Sequence, residues 1–576
     1  MCGSIIIDAG DAAHAVRARC AQFAAHRGLR RSALALLLAA GFAIRLTAAQ
    51  QQVSWLHRTF PGSWPLAIAT LSHDGATYLR QARNGLFTQD GPPQERWFAR
   101  PFYRPPGASL YYDAALNLSG FGVTAFFLIQ TAVAVASYAL LFLVVRDWFP
   151  SWVAWAGLCL ALAHPVLVFF DASLEDSVPA LFFLALSLLA FSRYQRRSTA
   201  GLLVAAGLAC ALSVSMRPNF LVIPALLVPI IALRDRGWAR PLLFLLPLAA
   251  LLAFTARQNY VNGGGAFSGL LVATVGENLF WGNNEHPYYR IAFLPRKGDG
   301  SPAACLMETL KQRYGGRTDD ETYLRAALGY LREHPLDAAA GVLRKALRHL
   351  SNWEIPRNLN FGYSQAGSPW FRHWYLPYGA LAGLFLLGAA GALGERRPLA
   401  FLVVPVACAV VTEVLFFNAS RYRSVGIPFM IPFALEGAAG LLGGLRRGGR
   451  ARLVGPALLV LATTAAGALA VGESERRAYL SAEYHKAALV SLRWEQKWAN
   501  LEAARALDPE SIEVFDSVQY YLIVSGNAAQ ALALRSAGLP ACVADDAVCR
   551  SVSERLLRRA LDTLKESPAP APRAGV

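Results

Sequence analysis

The chain has 576 residues, of which 55% are hydrophobic, and its mean hydropathy is positive, so it carries more apolar surface than a soluble fold buries. The net charge of +17 could indicate a nucleic-acid partner, but the arginines cluster in every second short loop between apolar runs. Composition and charge placement therefore exclude a soluble nucleic-acid-binding protein and predict an all-α polytopic membrane protein.

The apolar runs predict about eleven transmembrane helices, because several runs approach or exceed the roughly 18 to 20 residues that cross a bilayer. Residues 1–31 form a short basic leader, and residues 32–472 form the transmembrane domain. The predicted spans lie near residues 32–49, 119–145, 152–170, 177–192, 200–216, 219–233, 241–256, 375–393, 399–417, 425–445 and 453–472.

The arginine-rich loops predict the orientation of the chain. Assigning them to the cytoplasm places the N-terminus inside and the C-terminus outside. A helical tail, residues 473–566, then lies outside, where it resembles degenerate tetratricopeptide-type pairs, and residues 567–576 are Pro- and Ala-rich and disordered. In this tail only Cys542 and Cys549 look pairable, although their spacing does not demand a disulfide. The polar loops predicted on the same outer face are residues 50–118, 171–176, 257–374 and 418–424.

His73 and Asp74 follow the first predicted span, next to Gly75. A carboxylate at the membrane surface beside a flexible glycine can act as a general base toward an acceptor hydroxyl or amine. Asp74 equally suits the N-cap of a helix. Both interpretations stay open at this point.

A rigid turn, residues 102–107 (FYRPPG), precedes the second predicted span. Its prolines stiffen the backbone around Tyr103 and Arg104, which would hold the guanidinium where it can contact a phosphate through two nitrogens. The alternative is that the turn only ends the loop before the span.

Two carboxylates, Glu175 and Asp176, stand in a short loop close to the hydrocarbon edge, where charges are costly and tend to be functional or paired. They could bind a metal ion or position an acceptor. Asp176 could also merely cap the fourth predicted span.

Three further arginines lie at predicted helix ends. Arg217 precedes Pro218 in a hairpin turn, and Arg421 and Arg423 flank Tyr422 after the ninth predicted span. These positions suit a phosphate head group, and they suit ordinary interfacial anchoring equally well.

The segment 276–284 (GENLFWGNN) mixes glycine, asparagine and aromatic residues, which is typical of sugar-facing surfaces and also of tight turns. The chain contains no GxxxxGK[ST], CxxC, HExxH or GxSxG motif. We therefore expect no cofactor, and any donor substrate must arrive already activated.

These motifs, in this order, resemble the GT-C superfamily of glycosyltransferases that use polyprenyl-phosphate sugars. The most similar branch contains the protein O-mannosyltransferases and the bacterial lipid A aminoarabinose transferases. The resemblance covers roughly residues 30 to 445. The residues that carry it are Asp74, the turn from Tyr103 to Gly107, Glu175 and Asp176, Arg217 and Pro218, Gly282 and Asn283, and Arg421 to Arg423.

The resemblance implies transfer of a sugar from a polyprenyl-phosphate carrier to a lipid, glycan or protein acceptor at the outer face, with inversion at the anomeric carbon and without a metal ion. Asp74 would be the general base, supported by Glu175 at the acceptor site. The implied phosphate ligands are Arg104, Arg217, Arg421 and Arg423, and the implied substrate contacts are His73, Tyr103, Asp176 and Asn283.

Two features depart from the family pattern. The loop between Asp74 and the proline turn is unusually long, and an acidic pair stands where one acidic residue is common, which leaves acceptor class and metal dependence open. The tail resembles the helical appendage of some bacterial members, and the composition favours a bacterial inner membrane.

A polyprenyl-sugar flippase or transporter would also have many spans and arginines near the membrane, but it should contain internal repeats and broken helices at mid-membrane. The sequence contains no convincing duplication, and its charges cluster at one face. A third alternative is a scaffold for envelope assembly without catalytic activity, in which Asp74 would be dispensable.

Overall fold

The structure of the chain is a computed structural model, and the residues that it describes contain helices and no strand. These are residues 27–59, 75, 77–78, 101–263, 269–272, 274–284, 309–316, 319–357, 360–365, 367–372, 376–395, 397–446, 450–490, 494–509, 511–525, 527–536, 554 and 558.

The helices are numbered here in chain order. They are α1 (Arg27–Thr59), α2 (Pro106–Leu118), α3 (Val123–Trp148), α4 (Ser151–Ala163), α5 (Pro165–Asp171), α6 (Ser177–Arg197), α7 (Ala200–Met216), α8 (Val222–Asp235), α9 (Ala239–Asn262), α10 (Val275–Gly282), α11 (Asp320–Glu333), α12 (Pro335–His349), α13 (Tyr378–Gly394), α14 (Ala400–Leu415), α15 (Ile427–Arg446), α16 (Arg450–Leu469), α17 (Glu473–Val490), α18 (Trp494–Leu507), α19 (Ile512–Val524) and α20 (Ala528–Ser536).

The all-helical membrane fold is confirmed, whereas the count of eleven spans is not. Within the described residues, six helices are long and apolar enough to cross a bilayer, or eight if two bent pairs each form one span. The remaining predicted spans coincide with α7, α13 and α14, which have 17, 17 and 16 residues. At about 1.5 Å per residue they fall short of the roughly 30 Å hydrocarbon core.

The third predicted span is broken in the structure, because α4 and α5 meet at an angle of 59°. The break lies at His164, whose backbone is extended with φ −64° and ψ 119°. Pro165 causes it, since proline lacks an N–H and disfavours the helical conformation in the residue before it. The loop that carries the acidic pair follows directly after α5.

The acidic loop is fixed on the apolar core of the bundle. Gln130 on α3 donates hydrogen bonds of 2.7 Å to the carbonyl oxygens of both Asp171 and Ser173. Tyr112 on α2 donates to the carbonyl oxygen of Glu175 at 2.8 Å. These contacts hold the backbone of the loop, which leaves its carboxylates to face other elements.

The predicted turn at Arg217 is confirmed, since α7 ends at Met216 and a short 3-10 turn spans Pro218–Leu221 before α8. Arg217 itself is extended, with φ −144° and ψ 98°. Proline cannot continue the helix, so the chain turns here and the Arg217 side chain leaves the helix axis.

The helices α10, α11 and α12 belong to the predicted loop 257–374 and pack on the end of α14. Gly282 at the end of α10 lies so close to Phe416 that an added Cβ would overlap its carbonyl oxygen. Lys345 on α12 donates to the carbonyl oxygens of Gly282 and Phe416, both at 3.2 Å. The glycines of this segment therefore serve close packing of helices.

The tail is helical as predicted, and α18 ends at Leu507, where the sequence predicts a stop. Helices α17 to α20 pack as successive neighbours around a small apolar core that includes Leu501 and Val518. The tetratricopeptide-like character and the domain boundaries stay predictions. Cys542 and Cys549 lie outside the described residues.

Candidate active site

A cavity of about 790 Å³ lies between the proline turn, the Arg217 turn, α10, α11 and the end of α14. Its polar wall contains five residues that the sequence analysis proposed for the site: Tyr103, Arg104, Asp176, Arg217 and Arg421. Its apolar wall contains Leu221, Val222, Leu270, Leu271, Val272, Val275, Leu324, Leu415 and Phe416. The cavity is thus lined by arginines, by the carboxylates Asp176, Asp320 and Glu321, and by many hydrocarbon side chains.

Arg217 is the most deeply buried cation of this cavity, with 2% of its side chain exposed. Its Nη2 lies 3.1 Å from Oδ1 of Asp176, and its guanidinium carbon lies 5.5 Å from the ring centroid of Tyr422. Within the described residues, none of its three guanidinium nitrogens has a hydrogen-bond partner. A buried donor without a partner is costly, so this guanidinium is suited to accept an anion.

Arg421 enters the same wall from the short helix Ser420–Arg423. Its Nη1 lies 3.1 Å from Oε2 of Glu175, a carboxylate that is 1% exposed. The two neighbouring carboxylates therefore each hold one arginine of the cavity. Asp176 occupies the N-cap position of α6, but its side chain makes no capping hydrogen bond there.

Arg104 and Tyr103 reach the cavity on the proline turn, as the sequence predicts. The guanidinium carbon of Arg104 lies 5.1 Å from the ring centroid of Tyr103. Helix α2 begins at Pro106, and Gly107 packs directly against Ser215 near the end of α7. The absence of a side chain at Gly107 lets the proline turn and the Arg217 turn lie side by side.

Arg423 is not brought to the cavity. It is 1% exposed, and its guanidinium donates to the carbonyl oxygens of His349, Ser351 and Trp353 at 3.0, 2.6 and 3.0 Å. It also pairs with Glu354 at 3.0 Å. These contacts bind the segment after α12 and do not support direct contact between Arg423 and a phosphate.

Asn283 is not brought to the cavity either. Its side-chain nitrogen donates to the carbonyl oxygen of Leu415 at 2.8 Å, and its oxygen accepts from Lys345 at 3.0 Å. Asn283 therefore joins α10 to the end of α14, next to the cavity wall at Phe416. This contact does not support the predicted role of Asn283 as a substrate ligand.

His73 and Asp74 lie outside the described residues. Tyr78, four positions after Asp74, is described: it lines the cavity and stacks on Tyr112 with ring centroids 4.8 Å apart. The chain just after the predicted base thus reaches the cavity wall.

Asp320 is a cavity residue that the sequence analysis missed. Its Oδ1 accepts a hydrogen bond of 2.9 Å from the backbone N–H of Glu277 in the first turn of α10. Burial raises the pKa of Asp320 and also that of Glu277, because the charged forms lose water. The only sequence signal was the pair Asp319-Asp320 at a helix start, which indicates capping and not a distant partner.

Metal ligands were one alternative for the acidic pair. Among the residues that the structure describes, no group of three or more His, Cys, Asp or Glu side chains is placed to hold a metal ion. The pair instead faces Arg217 and Arg421.

This arrangement suits an amphiphilic anion. Arginine binds phosphate through several directed hydrogen bonds, and three arginines in one wall would neutralise a phosphate as negative charge develops on it. The apolar residues that line the same cavity would receive a hydrocarbon chain.

A comparison with family models matches residues 103–257 to the family described as dolichyl-phosphate-mannose-protein mannosyltransferase. A comparison with curated protein sequences finds no match. Two solved structures of ArnT from Cupriavidus metallidurans are similar to the chain. The structure bound to undecaprenyl phosphate has a TM-score of 0.42 and 14% identity, with coverage of 92% of this chain and 75% of that chain. The apo structure has a TM-score of 0.37 and 16% identity, with coverage of 84% and 70%.

The matched segment contains the proline turn, the acidic pair and the Arg217 turn, which together form much of the polar wall of the cavity. This segment of the chain is therefore similar to the dolichyl-phosphate-mannose-protein mannosyltransferase family.

Proposed function

We propose that the chain is a membrane glycosyltransferase that takes its sugar from a polyprenyl-phosphate carrier and transfers it to an acceptor at the outer face of a bacterial inner membrane. The single observation that carries this proposal is the cavity, which is lined both by Arg104, Arg217 and Arg421 and by leucine, valine and phenylalanine side chains. A phosphate with a sugar on one side and an isoprenoid chain on the other matches both walls. The name of the matched family agrees with this donor class.

In the proposed reaction, an acceptor hydroxyl or amine attacks the anomeric carbon of the sugar and loses its proton to the Asp74 carboxylate. A new bond forms at the anomeric carbon, and the bond from that carbon to the phosphate oxygen breaks. The electron pair leaves with the polyprenyl phosphate, whose added charge is stabilised by the cavity arginines. Attack opposite the leaving group inverts the anomeric carbon.

We assign Glu175 and Asp176 to positioning the arginines. Glu175 holds Arg421 and Asp176 holds Arg217, each at 3.1 Å, so the acidic pair determines where the two guanidinium groups stand before the donor binds. Fixed charges of this kind need no reorganisation during the reaction. This role replaces the direct part in acceptor chemistry that the family resemblance implies for Glu175.

The test uses the full chain reconstituted in lipid vesicles, with hexosyl and pentosyl phosphopolyprenols that are radiolabelled in the sugar. Release of the sugar and binding of the donor are measured separately. We expect Arg217→Gln to lower kcat/KM by roughly 10² to 10³, because it removes a buried positive charge from the departing phosphate. Asp74→Asn should abolish sugar release while donor binding remains.

Arg332→Gln is the matched control, because Arg332 is an exposed arginine of α11 outside the cavity. It should leave sugar release and donor binding at the level of the parent chain. Binding without sugar release in the parent would contradict the proposal. Movement of intact donor across the vesicle bilayer would then identify a flippase, and the absence of both activities would identify a scaffold.

A further inference from the structure

Helix α12 exposes three leucines and buries a lysine and a histidine. Leu336, Leu343 and Leu347 are 84%, 63% and 49% exposed. Lys345 and His349 on the same helix are buried. A helix of a soluble domain shows the opposite pattern, since burying leucine is favourable and burying lysine is costly.

The exposed leucines form one continuous stripe. At about 100° per residue, positions 336, 340, 343 and 347 fall within one narrow sector of the helix surface. Lys345 and His349 fall on the opposite side, which packs on the protein. Asp337 and Arg344 lie on a flank between the two sides.

The level of α12 in the molecule is fixed by its contacts with helix ends. Lys345 donates to the carbonyl oxygen of Phe416, directly after α14 ends at Leu415. Asn352, three residues after α12, donates from its backbone to Gly467 and from its side chain to Thr464, both in the last turns of α16. Helix α12 is therefore level with the cavity-side ends of two apolar helices.

The length of α12 excludes a membrane span. Its 15 residues rise about 22 Å, less than the roughly 30 Å hydrocarbon core, and its flank is charged. A helix at this level can meet lipid only by lying along the surface of the bilayer.

We propose that α12 lies in the interface of the membrane leaflet on the cavity side, with its leucine stripe among the acyl chains. The occupant of the stripe is the bilayer, because the lipid-facing surface of the neighbouring helix α16 continues there: Leu461 and Leu469 on that helix are 65% and 84% exposed. Amphipathic helices with one apolar face bind membrane interfaces in this way.

The lipid contact also reaches the cavity. Lys345, on the inward side of α12, holds Gly282, Asn283 and Phe416, and Phe416 lines the cavity. Seating α12 in lipid therefore steadies one wall of the cavity without contact between the leucine stripe and a substrate.

The test compares two adjacent positions in the full chain, reconstituted in nanodiscs of phosphatidylethanolamine and phosphatidylglycerol. Leu343→Cys on the stripe and Arg344→Cys on the flank are each labelled with a polarity-sensitive fluorophore. The background is a chain whose eight cysteines are replaced by alanine. We expect blue-shifted emission at position 343 and several-fold stronger quenching by doxyl-labelled lipids there than at position 344.

Leu336→Cys and Asp337→Cys repeat the comparison at the N-terminal end of α12. The result then does not depend on a single variant, which could fold poorly. Equal, water-like emission at 336 and 343 would overturn the proposal. Emission shielded from water but insensitive to doxyl lipids would also overturn it, because a protein partner or a second copy of the chain would then cover the stripe.

Discussion

Arg45 and Arg217 are both almost fully buried but have opposite roles. Nε of Arg45 donates to Asp171 at 2.7 Å, and its two other nitrogens donate to the carbonyl oxygens of Leu162 and Ala161 at 2.7 and 3.2 Å. Arg217 has an ion partner but no hydrogen bond within the described residues. The first arginine therefore completes the fold, whereas the second is available to a ligand.

Arg45 stabilises the break between α4 and α5. The break leaves the last carbonyl groups of α4 without helical N–H partners. The Arg45 guanidinium donates hydrogen bonds to two of these carbonyl oxygens in their place. Arg45→Met should lower the free energy of unfolding by about 3–5 kcal/mol, because it leaves the Asp171 carboxylate buried without its cation. Thermal unfolding of the purified chain in detergent, with retention of donor binding at low temperature, measures the effect.

Arg45→Lys is the control for charge alone. It keeps a cation beside Asp171 but loses the planar guanidinium that donates to the carbonyl oxygens of both Leu162 and Ala161. Its free energy of unfolding should therefore lie between those of the parent and Arg45→Met. Unfolding temperatures that are equal for all three chains would show that the carbonyl contacts and the ion pair contribute nothing.

Helix α12 contacts the lipid through its leucine stripe and a wall of the cavity through Lys345. Among the described residues its inward lysine donates to uncharged oxygens, and burial lowers the pKa of Lys345 to about 8. The charged lysine is therefore less stable in the folded chain than in the unfolded chain, where the ordinary pKa is 10.5.

The lowered pKa determines the sign of a pH effect. Below about pH 8, Lys345 is charged in both the folded and the unfolded chain, so burying its charge lowers the folding stability by the full amount. Between about pH 8 and 10.5 the folded chain has released this proton and the unfolded chain has not, so folding stability from this group rises with pH. We expect the parent to gain a few kcal/mol relative to Lys345→Met across this interval, at about 1.4 kcal/mol per pKa unit.

Unfolding temperatures of both chains, taken at half-unit steps of pH, give this difference directly. Only the difference between the chains is informative, since other groups titrate equally in both. A parent chain that loses stability relative to Lys345→Met as the pH rises would contradict the lowered pKa.

At the scale of the whole molecule, the number of spans decides where the helical tail lies. Eleven spans place the N-terminus and the tail on opposite sides of the membrane, whereas six or eight place them on the same side. The arginine-rich loops favour an N-terminus in the cytoplasm and a tail outside.

Reporter fusions in a bacterial host test this topology. Green fluorescent protein at the N-terminus should fluoresce, and alkaline phosphatase fused after residue 490 should be active, because the first requires the cytoplasm and the second requires the outside. A fusion after Asp235, at the end of α8, is the control for a cytoplasmic loop and should lack phosphatase activity. An inactive fusion after residue 490 with an active fusion after Asp235 would reverse the orientation.

The helical membrane fold could be predicted because it depends on local features of the chain. Runs of apolar residues mark helices wherever they occur, and Pro218 ends a helix through its own covalent geometry. The same reasoning missed the break at His164 because the apolar run continues across it, so hydropathy shows no interruption. The bounds of α7 agree with the predicted span, but those of α13 and α14 differ from it by one to three residues, since the flanking polar residues do not show where helical hydrogen bonds end.

Sequence alone determined the class of the protein and the motifs that form the polar wall of the cavity, because residue chemistry and order along the chain are sufficient for both. Only the tertiary structure decided which charges meet. Arg217 and Arg421 both line the cavity, whereas Arg423 donates its hydrogen bonds to backbone carbonyl oxygens. In the sequence all three are simply arginines near helix ends. Pairing of this kind depends on contacts between segments up to 246 positions apart, as between Glu175 and Arg421, and no local pattern encodes such a distance.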